Sequence, residues 1–303
     1  MDDKMKKLLC SGGIILGSLI LSTFAMIPMN YQFEGDLTNW MKKIDDNTLI
    51  NDISLPGTHD SGATHSIFDV AGKCQDISIK SQLNIGVRFF DLRLQLIEDE
   101  FHIVHSFVKQ NLKFNSVMED LSEFIKKYSS EFIIISIKEE ESSVNSTLSF
   151  QEAFERDIKK YEDIISLETK MPETIKDARG KIHLMSRFNV DYGIPAYFGW
   201  HDSTSFEMGD VYVQDNYCIT DIDVKKNDIL RAIEYSKTHS DKLVLNFTSC
   251  YLDNAFPPSY AGTTALSINP WLKEQLSNEK DLGIMVCDFI SDDLTKIIIE
   301  RNF

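Results

Sequence analysis

The amino-acid sequence predicts an α/β protein built as a distorted, irregularly closed (β/α)8 barrel of the TIM type. Three observations carry that prediction. Eight short β-like runs recur along the chain, helical periodicities separate most of them, and polar residues collect toward the carboxyl end of one face of several runs. Strands alternating with helices imply a largely parallel sheet, and barrels of that kind place their chemistry at the carboxyl ends of the strands.

The eight runs cover residues 50–54, 87–94, 102–105, 132–137, 182–186, 211–214, 243–247 and 284–287, each rich in β-branched or aromatic residues. Helical patterns fall at 117–128, 150–161, 225–237, 270–276 and 292–299. The first run stops at Pro56-Gly57, a strand-breaking pair, which places His59 and Asp60 on a loop beyond its end. Only Ile97-Glu98-Asp99-Glu100 separates the second run from the third. That link is too short for a helical crossover and predicts a hairpin. The segment 189–210 has no clear helix. Both features predict irregular closure.

Side chains in a strand alternate faces with a period of two. Phe89, Asp91 and Arg93 therefore share a face, as do Phe101, Ile103 and His105. The sets Phe132, Ile134, Ser136, Lys138, Glu140 and Val211, Val213, Asp215, Tyr217 behave likewise, as do Ile284, Val286 and Asp288. Each set starts apolar and ends polar, as an interior packed below and reactive above requires. Of the remaining histidines, His65, His201 and His239 fall in loops or helix ends, His102 points away from His105, and His183 lies low in its strand as a core residue.

The chain has 303 residues, 43% of them hydrophobic and 11% aromatic, and no repeat, low-complexity tract or Pro/Ser-rich linker marks a boundary. One domain over 28–303 is expected. A formal charge of −16 without clustered Lys and Arg excludes nucleic acid as a partner and electrostatic docking on anionic lipid. Any lipid contact must be apolar. Lys4, Lys6 and Lys7 precede an apolar run from 8 to 27 with Ala25 near its end, the layout of a signal peptide over 1–27. The expected location is secreted; the alternative is an uncleaved membrane anchor. Cys74, Cys218, Cys250 and Cys287 are widely spaced and read as free thiols, and no CxxC or His-rich metal spacing occurs.

His59, His105 and Arg93, with the carboxylates Asp60 and Asp288 and a polar ring of Lys138, Arg187, Asp215 and Tyr217, form a coherent chemical set. Two imidazoles titrating near neutrality serve as base and acid. A guanidinium offers a planar fork for a phosphoryl group. The set suits phosphodiester cleavage without a metal or other cofactor.

The motifs Pro-Gly-Thr-His-Asp-Ser at 56–61, Phe-Phe-Asp-Leu-Arg at 89–93, Ile-Val-His at 103–105, Ser-Ile-Lys-Glu-Glu at 136–140, Val-Gln-Asp-Asn-Tyr at 213–217, Leu-Asn-Phe-Thr-Ser at 245–249 and Cys-Asp-Phe-Ile at 287–290 appear in that order. In them the chain resembles the bacterial phosphatidylinositol-specific phospholipases C, with the X-type catalytic barrel. The resemblance implies a diacylglycerol-lyase releasing diacylglycerol and inositol 1,2-cyclic phosphate. It implies His59 as base oriented by Asp288, Arg93 at the phosphoryl oxygens, His105 supported by Asp60 as acid, and Lys138, Arg187, Asp215 and Tyr217 around the inositol. Eukaryotic relatives use calcium where this sequence has Arg93, so no metal is expected. The tryptophan that family members expose after the first strand is missing; Phe68, Val70, Phe256 and Tyr260, with Tyr251 and Leu252, are the expected apolar rim on a phosphatidylinositol-bearing membrane, contacted by a monomer. Glycosylphosphatidylinositol anchors are a further candidate substrate. The competing readings are a non-catalytic inositol-lipid binding protein and a phosphodiesterase for another headgroup on the same fold.

Overall fold

The computed structural model describes residues 35–65, 72–253, 255, 259–277 and 279–303. The expected leader at 1–27 and the expected rim residues Phe68, Val70 and Phe256 lie outside the described residues. In chain order the first strands are β1 (Leu55–Thr58), β2 (Phe89–Ile97), β3 (Glu100–His105), β4 (Val108–Lys113), β5 (Ile133–Glu139), β6 (Ile165–Ser166) and β7 (Ile182–Arg187). They are followed by β8 (Ile194–Pro195), β9 (Ser205–Met208), β10 (Val211–Gln214), β11 (Cys218–Ile219), β12 (Leu243–Phe247), β13 (Tyr251–Leu252) and β14 (Ile284–Cys287). The helices are α1 (Ile79–Asn84), α2 (Phe114–Lys127), α3 (Phe150–Ile158), α4 (Ile175–Ala178), α5 (Ile222–Thr238), α6 (Ala261–Leu276) and α7 (Asp292–Glu300).

Seven of the eight expected runs fall on strands, the first lying just ahead of β1, and the parallel wall runs in the order β7-β5-β2-β1-β14-β12-β10, with the two-residue β6 parallel to the start of β7. The third run, β3, turns back antiparallel on β2 as the short link predicts. The wall thus has seven longer parallel strands and, in the eighth place, only the two-residue β6. Among the described residues it does not close: the path starts at β6 and ends at β9, an antiparallel addition to β10. The barrel is incomplete, and segment 189–210 lies where it opens.

The start of the wall differs from the sequence expectation. Ile50–Asp52 forms a 3-10 turn, and β1 begins only at Leu55, so Pro56 and Gly57 lie inside the strand instead of ending it. The Pro56 carbonyl still accepts from Arg88 N at 2.9 Å. Gly57 permits the strands to approach, because a Cβ there would stand 3.0 Å from Phe89 Cβ. Helix α6 also exceeds its expected span, starting at Ala261 and not at Pro270. Tyr260 and Thr263 cap its start, and Pro270 deprives only the carbonyl of Leu266, an exposed residue, of its helical donor.

Two apolar layers follow from the alternation. Leu55, Phe89, Ile134, Met185, Val213, Leu245 and Val286 pack inside the barrel, and Phe90, Leu92, Ile135, Leu184 and Met285 pack outward against helices through Leu121, Phe154, Leu272 and Ile298. Phe101 and Ile103 are a correction. They belong to the outer layer, with Phe101 against Phe114, Phe150 and Phe154, so the face that ends in His105 is not an interior face. At the amino-terminal end of the wall, Arg88 and Glu131 form a fully buried ion pair at 2.9 Å. Arg88 also donates to the carbonyls of Leu83, Val87, Leu37 and Thr38, which makes it a structural clasp remote from the strand ends where chemistry occurs.

His183 is buried as expected, its Nε2 at 3.1 Å from the Ala178 carbonyl. Burial lowers its pKa from 6.5 to about 4. The folded state therefore binds fewer protons than the unfolded chain between those values, and stability falls as pH drops through that window. The loss from this residue is roughly 3 kcal/mol. Urea titrations of His183→Gln across pH 4 to 6.5 should show a flatter dependence by that amount; an unchanged slope would exclude this histidine as its source.

Candidate active site

The strand ends bring the expected residues to one mouth. His59, Arg93, His105, Lys138, Arg187, Asp215, Tyr217 and Asp288 all line a cleft of about 730 Å³, within the size range of small-ligand sites. Asp60 lies fully buried beneath them.

His59 follows β1 directly, its N–H still bonded to the Cys287 carbonyl at 3.0 Å. This keeps its side chain on the interior parity of Leu55 and Gly57. Gln75 Nε2 donates to the carbonyls of His59 and Cys287, locking the ends of β1 and β14 together. The His59 Nδ1 lies 2.7 Å from Asp288 Oδ1, and its Nε2 lies 2.8 Å from an Arg93 terminal nitrogen. A guanidinium can only donate, so Nε2 must be the acceptor and the proton belongs on Nδ1 facing Asp288. The lone pair of a base therefore points at the cleft. Burial works against the imidazolium, but the Asp288 carboxylate outweighs it and holds the His59 pKa above its ordinary value.

Arg93 is the hub. Its Nε and one terminal nitrogen reach Asp91 Oδ2 at 3.3 and 3.2 Å, its other terminal nitrogen reaches Glu140 Oε1 at 3.5 Å, and Asp60 Oδ2 lies 3.6 Å from Nε. Burial alone would lower its pKa, but the Asp91, Asp60 and Glu140 carboxylates raise it well above the usual value. Asp91 in turn accepts from Arg187 at 3.2 Å. Burial would raise the Asp91 carboxyl, yet Arg93 and Arg187 hold it far below the usual range.

His105 reaches the mouth by a route that parity does not describe. β5 occupies one edge of β2, so β1 and β3 must share the other, with β1 pairing at Phe89 and Phe90 and β3 at Leu94 to Ile97. Running in opposite directions, the two strands meet at their carboxyl ends, and His59-Asp60 abuts His105. Ser106, with φ of 50°, then turns the hairpin, its N–H donating to Glu140 at 3.3 Å. His105 Nε2 stands 3.8 Å from Asp60 Oδ2, beyond hydrogen-bond length, so the carboxylate supports it by charge. Burial raises the Asp60 pKa, opposed by Arg93 and His105.

The polar ring is partly anchored by residues that sequence reasoning passed over. Lys138 Nζ lies 2.6 Å from Glu140 Oε2. Arg187 stacks 3.6 Å over the Trp200 ring, and Trp200 Nε1 donates to Asp215 at 3.1 Å. The Tyr217 hydroxyl donates to Asp202. Beneath this ring Lys225 is fully buried, donating to Gln214 Oε1 and the Asn216 carbonyl and so bracing the segment that carries Asp215 and Tyr217. Burial lowers its pKa to about 8. Asp91 and Glu140 were already on the right faces by parity; Trp200, in the irregular 189–210 segment, carries no sequence signal. Cys74, Cys250 and Cys287 are buried free thiols and Cys218 is a half-buried one.

The arrangement provides a base with a fixed tautomer, a fork for anionic oxygens and a second imidazole across the mouth. Residues 55–188 match the family described as phosphatidylinositol-specific phospholipase C, X domain. Over 288 residues the chain is 27% identical to the 1-phosphatidylinositol phosphodiesterase of Listeria monocytogenes, covering 87% of this chain and 84% of that protein. It is 28% identical over 296 residues to the protein of the same name from Staphylococcus aureus, covering 87% and 94%. Among solved structures, a variant of the phosphatidylinositol-specific phospholipase C from Staphylococcus aureus superposes with a TM-score of 0.80 at 25% identity, over 88% of this chain and 97% of that one. The Listeria monocytogenes enzyme superposes with a TM-score of 0.75 at 25% identity, over 89% and 100%.

Proposed function

We infer that the chain belongs to the phosphatidylinositol-specific phospholipases C, a reading supported by the family match over 55–188 and by relatives 27% and 28% identical, and from that premise we infer how its residues divide the reaction. It is a phospholipase C acting on phosphatidylinositol. His59 Nε2 takes the proton of the inositol 2-hydroxyl, whose oxygen attacks phosphorus. Arg93 stabilises the charge that gathers on the phosphoryl oxygens. His105 delivers a proton to the departing diacylglycerol oxygen, leaving inositol 1,2-cyclic phosphate, which the same pair hydrolyses slowly with roles exchanged. Lys138, Arg187 and Asp215 bind hydroxyls, and the Tyr217 ring stacks on the sugar. The observation that carries this reading is the line Asp288, His59, Arg93, with contacts of 2.7 and 2.8 Å.

The test is phosphorus NMR of phosphatidylinositol turnover with excess chelator present. Conversion to the cyclic phosphate at an undiminished rate is expected, because Arg93 supplies the positive charge. Binding of inositol phosphates without release of diacylglycerol would favour a non-catalytic role, and loss of turnover with the chelator would reject metal independence.

We further propose that the protein is exported and meets its lipid through apolar side chains at the mouth. Phe107, 85% exposed, follows the cleft-lining Ser106, and Leu266, 79% exposed, stands on α6, whose preceding residue Tyr260 also lines the cleft. These positions supplement Tyr260 and Tyr251. Phe107→Ser should weaken binding to neutral phosphatidylcholine vesicles by about tenfold or more, from roughly 1.5 to 3 kcal/mol of apolar burial, while turnover of water-soluble cyclic inositol phosphate stays unchanged. Equal vesicle affinity by sedimentation would remove Phe107 from the rim.

A further inference from the structure

Cys74 lies between the two catalytic imidazoles, buried, and the mechanism leaves it without a task. Its Sγ is 4.0 Å from His105 Nδ1. One donor atom each from Cys74, His105 and Asp60 falls within 4.8 Å of the others. Asp60 supplies the second observation: it is fully buried, and neither of its carboxylate oxygens has a hydrogen-bond donor. A buried carboxylate left in that condition is costly, and the nearest basic groups, Arg93 and His105, stand at 3.6 and 3.8 Å.

We propose that Cys74, His105 and Asp60 form an inhibitory site for a soft divalent cation, with zinc as the ion the donors fit best. Thiolate and imidazole select such an ion over calcium or magnesium, which prefer six or more oxygens. Zinc bonds of about 2.3 Å to sulfur and 2.0 Å to nitrogen or oxygen set tetrahedral donors roughly 3.5 Å apart, so Cys74 and His105, at 4.0 Å, need to close by about half an ångström and the whole set, within 4.8 Å, by at most about 1.3 Å. Binding releases the thiol proton to solvent, and the cation is met by one thiolate and one carboxylate charge. Arg93 opposes its entry, but Asp60, Asp91, Glu140, Asp215 and Asp288 surround the cleft against Arg93, Arg187 and Lys138, leaving the balance negative. A related set, His59, Cys74 and Asp288, shares the same sulfur. It is the weaker host, because both His59 nitrogens are already engaged. Bound zinc occupies the imidazole assigned as general acid, so the inhibitory consequence rests on the role proposed for His105.

The test begins without substrate. The purified full-length protein, freed of chelator, is titrated with cobalt(II); a thiolate-to-cobalt charge-transfer band in the near ultraviolet, saturating at one equivalent and displaced by zinc, is expected. Cys74→Ser should abolish the band and Cys287→Ser should retain it, with Cys74→Ala as the second variant if serine impairs folding. In turnover assays, zinc should inhibit reversibly, and the Cys74 variants should need at least about tenfold more zinc, each measured against its own rate in chelator. Absence of the band in the wild-type protein, or equal zinc sensitivity in the variants, overturns the site. Because the spectrum needs no turnover, a silent spectrum in an active enzyme sinks this proposal alone, and a band in a protein that cleaves no phosphatidylinositol sinks the assigned reaction alone.

Discussion

Replacing His59 by alanine is expected to lower kcat on phosphatidylinositol by at least about 10²-fold, the low end for loss of a positioned base or acid. The imidazole is the group whose unprotonated nitrogen faces the cleft, and its partner Asp288 at 2.7 Å fixes which nitrogen that is. His105→Ala should cost a similar factor, but the two losses are distinguishable. A substrate with a low-pKa aryl leaving group needs no protonation as it departs, so it should restore much of the His105→Ala rate and none of the His59→Ala rate. Wild-type-like turnover in either variant would remove that residue from its role. The pH profile adds a sign. The base must be neutral, so kcat/KM should rise with pH through the His59 pKa, which lies above the ordinary 6.5. Because the Asp288 carboxylate raises that pKa against the effect of burial, Asp288→Asn should shift this limb to lower pH. A limb that stays in place would show that Asp288 does not act through His59.

Arg93→Lys should reduce kcat/KM by at least about 10²-fold although the charge is conserved, the scale on which loss of one preorganised donor to a developing oxyanion is felt. One guanidinium contacts Asp91, Glu140 and His59 and lies beside Asp60. A single ammonium on a flexible stem cannot keep that geometry or present two parallel donors to a phosphoryl group. Asp91, fully buried, would be left with Arg187 and the Asp60 N–H. Thermal melting separates the outcomes: a folded variant with a collapsed rate supports the role, and a folded variant with a full rate refutes it.

Much of this site was legible before folding was considered. Arg93, Lys138, Asp215 and Asp288 follow from alternation along single strands, a local property, and each lines the cleft. Two local rules gave way to neighbours. Pro56-Gly57 reads as a strand end, yet the approach of Phe89 makes glycine the residue that fits there, and the pair stays in the wall. Parity put Phe101 and Ile103 inside with His105, whereas they pack under the helices. His105 arrives because β3 meets β1 end to end on one edge of β2, a relation between strands that no single strand encodes.

By itself the sequence determined the alternation of strands and helices, the hairpin in place of a crossover, and the face on which most of the reactive side chains stand. These depend on chain geometry over a few residues. Only the tertiary structure decided that the wall, among the described residues, stays open between β7 and β10, that Trp200 stacks on Arg187, and that Cys74 lies between two imidazoles. The reason is physical: register, closure and contacts across the mouth are set by packing among segments tens to hundreds of residues apart, where periodicity carries no information.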